Sequence, residues 1–203
     1  GFSQMSYAHI NGSLYVGNVT SDKMTDIKDI SPLGILKSVK EGIYICNTEV
    51  SDIEVLSHVD KYSTLTLRNN KLTKLPTMGS ASIKTLDVSG NLLTDFAFLE
   101  GMPALETLKL GNSSSPQKET NDIGLISGLE KYTNLRSIDL SGLPVHQWQV
   151  DILRTLMPGT DVIFKSGGRV PWIPTVESGG VSSSDKKAIL RGIVRYNGKS
   201  AVT

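Results

Sequence analysis

Apolar and polar residues alternate along this chain in short runs that return at a nearly fixed interval. LTLRNNKLTKLP, from Leu65 to Pro76, is followed 21 residues later by LDVSGNLLTDFA. With the two apolar positions of each run as anchors, the series reads Leu14/Val16, Ile43/Ile45, Leu65/Leu67, Leu86/Val88, Leu108/Leu110 and Ile138/Leu140. Val162/Phe164 makes a seventh. The first members stand 29, 22, 21, 22, 30 and 24 residues apart. Alternation with period two predicts a short strand with one buried face. Behind each run lies a second apolar cluster, such as Val50, Ile53, Leu56 or Leu93, Phe96, Leu99. Its spacing predicts a turn of 3₁₀ or α-helix, or an irregular arc.

A unit of this length cannot enclose its own apolar side chains, whereas stacked units can. Parallel strands joined by full crossover helices need about 30 residues per unit. Repeats of 21 and 22 residues therefore predict a solenoid. Asn70 and Asn91 fall just after their strands, where the chain bends away. A buried amide there can satisfy backbone groups that the bend leaves unpaired.

LRNNKLTKLP and LDVSGNLLTDFAFLEGMPALETLKL resemble leucine-rich repeats, with the consensus LxxLxLxxNxL. The unit length and the phrase TDIKDISPLGIL resemble the bacterial internalin-type subclass, over roughly residues 10–165. The consensus asparagine is replaced at Val19, Thr48, Ser113 and Leu143. The resemblance implies an α/β leucine-rich-repeat solenoid of six to seven coils with a parallel concave sheet. Composition divides the chain into a solenoid with its terminal coils over 1–165, a Gly/Ser/Pro-rich linker over 166–185, and a tail over 186–203. In the tail Asn197-Gly198 predicts a tight hairpin after a strand over Ile189–Tyr196. Trp172, between two prolines, reads as a cap on the last coil or a short docking motif.

Three segments depart from the period. GNSSSPQKETNDIG, from Gly111 to Gly124, lengthens one unit and predicts an exposed loop. VTSDKMTDIKDIS lengthens the first unit, where the open end of a core needs cover. PVHQWQVDILRTLMPG carries Val145, Trp148, Ile152, Leu153 and Leu156 at helical spacing. It predicts an amphipathic helix behind the sixth strand, with Trp148 in the core.

Composition adds exclusions. Formal net charge is +1, from 21 basic and 20 acidic side chains, which removes the broad attraction behind nucleic-acid or anionic-membrane binding. No apolar run is long enough to insert into a bilayer, and the start GFSQMSYAHING does not read as a signal peptide. The single cysteine, Cys46, leaves no internal disulfide, and His9, His58 and His146 lack metal-ligand spacing. No nucleophile elbow, phosphate loop or dinucleotide fingerprint occurs, so neither a catalytic set nor a cofactor is expected.

Function then rests on the sheet's outward face. One column reads Tyr15, Tyr44, Thr66, Asp87, Lys109 and Asp139, and the next reads Gly17, Cys46, Arg68, Ser89, Gly111 and Ser141. Tyrosines are favoured interface anchors. Arg68, Asp87, Lys109 and Asp139 either pair across coils or set a partner's register. Tyr15, Tyr44, Arg68, Asp87, Lys109 and Asp139 are the candidate partner-binding residues. The expected partner is a protein, with a glycan as a further candidate, and the expected setting is extracellular or at a cell surface. The competing reading is a structural or attachment component, of a surface appendage or phage-like particle, that oligomerises through its tail.

Overall fold

The structure is a computed structural model that describes residues 7–78, 82–112 and 120–167, and the backbone of Thr175–Ser184, Lys187–Tyr196 and Ser200–Val202. It divides into two compact units, Gly1–Arg169 and Val170–Thr203.

In the first unit each predicted anchor pair begins a coil. The strands are β1 (Ala8–Ile10), β2 (Leu14–Gly17), β3 (Leu36–Val39), β4 (Gly42–Cys46), β5 (Thr64–Thr66), β6 (Thr85–Asp87), β7 (Thr107–Lys109), β8 (Ser137–Asp139) and β9 (Asp161–Ile163). Seven of them form one parallel sheet in the order β2-β4-β5-β6-β7-β8-β9. The register aligns Leu14, Ile43, Leu65, Leu86, Leu108, Ile138 and Val162 side by side. All but Leu14, which lies at the sheet's edge, are buried. Separately, β1 pairs in parallel with β3, a small second sheet beside the N-terminal coils.

The arcs behind the strands are held by short carboxylates. Asp29, Asp52 and Asp95 each accept the N–H two residues on, from Ser31 (2.8 Å), Glu54 (2.7 Å) and Ala97 (3.0 Å). Each such turn opens a 3₁₀ segment: Ser31–Ile35, Glu54–Leu56 and Ala97–Gly101. Their apolar residues, among them Ile53, Leu56, Leu93 and Leu99, close over the back of the sheet.

At the turning edge the asparagines act as expected. Asn91 Nδ2 donates to the carbonyls of Leu67 (2.9 Å) and Val88 (3.0 Å), and its Oδ1 accepts from Leu72 N–H (3.1 Å). Asn70 donates to Ile45 and Leu67, both at 2.8 Å. In the preceding coil Thr48 bonds Asn70 Oδ1 and receives Val50 N–H, so a hydroxyl completes the series. In the longer unit the position falls to Asn121 rather than Ser113. Asn121 donates to Val88 (2.9 Å) and Leu110 (2.8 Å) and accepts from Leu93 N–H (3.0 Å). The insertion therefore precedes the amide. Asn112 grips its base, accepting Asn121 N–H at 2.6 Å and donating to Asn121 O at 2.9 Å. The rest of the expected loop, residues 113–119, lies outside the described residues.

The first long unit is tied down likewise. Asn47 Nδ2 donates to the carbonyls of Asn18 (2.6 Å) and Ser21 (3.0 Å), and Asn47 O accepts from Thr25 N–H at 2.8 Å. Arg68 reaches over to Val19 O at 2.8 Å. Beneath it Cys46, on the outward side of β4, is only 1% exposed. Burial pushes its thiol pKa up, with the Arg68 guanidinium pulling the other way, so the thiol is protonated at neutral pH.

Helix α1 (Gln147–Leu156) follows β8 as predicted, but in another rotation. It buries Gln149, Val150 and Leu153, while Trp148, Ile152 and Leu156 are half exposed. Polar contacts decide this. Gln149 Nε2 donates to the buried Gly124 carbonyl (3.0 Å), and its Oε1 accepts His146 N–H (2.8 Å). Arg154 donates to Val162 O of β9 through Nε (3.2 Å) and Nη2 (2.8 Å). Swinging Trp148 inward would break these bonds and strand the Gly124 carbonyl, at roughly 1–3 kcal/mol per buried group.

The second unit is a three-stranded antiparallel sheet in the order β10-β11-β12: β10 (Thr175–Ser184), β11 (Lys187–Tyr196) and β12 (Ser200–Val202). Tyr196 pairs with Ser200 across the expected hairpin, whose Asn197-Gly198 lies outside the described residues, as does Trp172. Composition reads 166–185 as linker, yet Thr175–Ser184 is a strand. Its glycines sit where the register shifts between Ser178 and Val181, so they are accommodated at an irregularity of the ladder.

Three expectations follow. Asn91→Ala takes one of two amide donors from each of the Leu67 and Val88 carbonyls and leaves the buried Leu72 N–H without its acceptor, and chemical denaturation will show a loss of roughly 2–4 kcal/mol. Exposed Asn134→Ala, whose amide makes one bond to Pro103 O, will cost about 1 kcal/mol or less. Cys46 will resist alkylation at neutral pH in the native chain and react at once in denaturant. Modification of the native chain will rise only as the pH climbs beyond the ordinary thiol range.

Candidate functional site

Residues alternate in and out along each strand, so three outward columns cross the sheet. The central one is Tyr15, Tyr44, Thr66, Asp87, Lys109, Asp139 and Ile163, in register from strand to strand. Beside it lies a column the anchor pattern does not single out: Gly42, Thr64, Thr85, Thr107, Ser137 and Asp161. Its signal was present one position before each anchor, as four small hydroxyl residues in successive repeats. On the other side the third column, from Cys46 and Arg68 to Ser141, leads into the turning edge.

At the N-terminal end the rings of Tyr15 and Tyr44 stack, with centroids 5.0 Å apart and planes 16° from parallel. Tyr15 is 59% exposed. A methyl group on Gly42 would meet the Tyr44 ring at 2.8 Å, so the missing side chain at that position lets the ring lie down on the sheet. The pair forms a flat aromatic platform with a polar rim.

Beyond it the charged candidates do not pair with one another. Among the described residues no ion pair within 4.0 Å links Arg68, Asp87, Lys109 and Asp139, which corrects the cross-coil pairing open at the level of sequence. Asp87 Oδ1 accepts from Ser89 N–H (3.1 Å) and Oγ (2.6 Å), and Asp139 Oδ1 accepts from Ser141 N–H (2.9 Å). A carboxylate two residues before a serine finds a nearer donor than a long side chain one coil away. Arg68 is committed to Val19 O. Lys109 stays exposed.

The candidates therefore fall into two groups. Tyr15 and Tyr44 make the platform. Arg68, Lys109 and Asp139 line a shallow depression of about 200 Å³ with Ser89 and Ser141, while Asp87 stands between the two. Among the described residues no group of three or more His, Cys, Asp and Glu gathers to hold a metal ion, and no helix is long and apolar enough to cross a membrane. The face offers hydroxyls, one exposed ammonium and stacked phenols, which is chemistry for holding a surface.

No family model matches the chain. It is 32% identical over 111 residues to tubulin-folding cofactor E of Arabidopsis thaliana, covering 53% of this chain and 19% of that protein. The crystal structure of an internalin from Listeria monocytogenes is similar at a TM-score of 0.54 and 22% identity, over 76% of this chain and 41% of that one. The chain thus spans less than half of either relative. By strand register, by its asparagine-closed turns and by likeness to a solved internalin, the first unit of the chain is a leucine-rich-repeat solenoid in fold.

Proposed function

We propose that the chain is a non-catalytic recognition module that holds a protein partner against the concave face of its sheet, with the Tyr15–Tyr44 stack as the anchor. The stack carries the reading. Two tyrosines lie against each other at the surface, one of them more than half exposed. Large rigid side chains of this kind bring contact area at low entropy cost and supply a disproportionate share of binding energy. The depression at Arg68, Lys109 and Asp139 adds polar groups that fix register. The likenesses run to a bacterial internalin and a plant folding cofactor, so they support a binding face without choosing a compartment. A surface setting is the proposal, and it rests on the internalin-like unit length and the phrase TDIKDISPLGIL.

A second reading, attachment through the tail, has one observation behind it. β10 offers a ten-residue edge, paired on one side only among the described residues, and such edges template pairing with another chain. Sedimentation of the full chain decides: a monomer at all concentrations removes this reading.

For the concave face, a photo-crosslinking residue is placed at Tyr15 and, as a control, at Lys74 on the back of the solenoid. The expected result is a discrete protein adduct from position 15 and none from 74. Against the captured protein Tyr44→Ala will weaken binding by about tenfold or more. Gly42→Ala, which pushes the Tyr44 ring aside, will weaken it with the fold intact. Equal adducts at both positions, or an unchanged affinity in a folded Tyr44→Ala chain, would remove the concave face as the binding site.

A further inference from the structure

Away from the sheet, one flank of α1 is apolar and uncovered. Trp148, Ile152 and Leu156 are 53%, 52% and 57% exposed. Their spacing of four sets them in a line on one side of a helix, about 12 Å long at 1.5 Å per residue. The Trp148 ring is stacked on that of His146, with centroids 6.1 Å apart. The helix is not free to roll these side chains inward, because Gln149 and Arg154 anchor it to the carbonyls of Gly124 and Val162.

Half-exposed side chains of this size present roughly 300 Å² of apolar surface together. Patches of that extent on a single chain are often functional. They fall well short of the ~800 Å² that each side of a standard interface buries. This line alone is therefore too small for a second folded copy and suits a short segment.

The line runs out at Leu156 into a depression of about 600 Å³. Leu156 and Met157 contribute its apolar side, and Lys84, Glu106, Glu130 and Arg136 its charges. Lys84 pairs with Glu106 at 3.1 Å, and Glu130 accepts the Gly128 N–H at 2.7 Å. Arg136 has no ion pair among the described residues. Among the described residues the Arg136 guanidinium and the Glu130 carboxylate are thus the charges of the depression without an ion pair, with Arg136 free of any side-chain bond at the end of an apolar line.

We infer that this flank of α1 and the adjoining depression bind a short amphipathic segment of another protein, its apolar side chains lying along Trp148, Ile152 and Leu156 and an acidic residue meeting Arg136. Apolar anchors spaced by helical turns are how helices seat on such surfaces, and the carboxylate–guanidinium contact fixes direction. This surface is separate from the sheet's concave face and stands or falls without it.

The test uses the full chain and a fluorescein-labelled helical peptide with leucines four apart and one glutamate beyond the last leucine. A second peptide carries lysine in place of that glutamate. Anisotropy will show the glutamate peptide binding more tightly, and Arg136→Glu will reverse the order. Ile152→Glu, at an exposed position, will weaken both peptides by about tenfold or more, while Tyr44→Ala on the sheet face will change neither. Equal affinity for the two peptides in every variant, or binding untouched by Ile152→Glu, would overturn the inference. Self-association of the chain that Ile152→Glu abolishes would also overturn it, in favour of a second copy.

Discussion

Every coil of this protein has to turn off the sheet while its neighbours continue past it, and in the three central coils buried side-chain amides make that turn possible. Bending the chain there leaves carbonyls without ladder partners, in a place where water does not reach. Asn70, Asn91 and Asn121 fill the gap with their NH₂ groups, each bonding carbonyls of two successive coils. The oxygens of Asn91 and Asn121 return the favour to Leu72 and Leu93 N–H, on the arc of the coil before. One amide thus ties the strand end of its own coil to both the strand and the arc of the previous one. A backbone group left unpaired at such a depth costs roughly 1–3 kcal/mol, so the ladder is a condition of stacking.

The outward face follows from that edge. The leucines and isoleucines are drawn inward in register, and the residues between them have no choice but to form columns. What those columns offer depends on local donors. Ser89 and Ser141 hold Asp87 and Asp139 down, and the first loop occupies Arg68. Lys109 and the tyrosine pair are left as the groups that reach outward, the latter lying over a glycine. At the far end the same rule governs α1. Two polar side chains satisfy buried or edge carbonyls, and the price is an apolar flank facing out.

What could be read in the sequence was what repeats. Seven anchor pairs predicted seven strands in register, because burial on one face leaves a period-two trace whatever the loops do. The amide at Asn121 was hidden since eight residues displace it from its expected place at position 113. The hydroxyl column from Thr64 to Ser137 was equally periodic but lay outside the anchor frame. The rotation of α1 was illegible for a different reason. Apolar spacing put Trp148 inside, whereas Gln149 and Arg154 set the angle through contacts with Gly124 and Val162, residues 25 and 8 positions away. The strand Thr175–Ser184 was masked by a composition ordinarily found in linkers, since backbone pairing needs no particular side chain.

Hydrogen exchange at single amides tests the ladder most directly. Leu72 and Leu93 lie outside any strand, yet their N–H groups donate to the side-chain oxygens of Asn91 and Asn121. If those amides lock the coils, both protons will exchange as slowly as that of Leu67, which donates to Asp87 O in the sheet at 2.7 Å. Exchange of Leu72 and Leu93 at the rate of the exposed amide of Lys74 would contradict the account, and the coils would have to be held together by the sheet's backbone hydrogen bonds and their apolar side chains, without the amides.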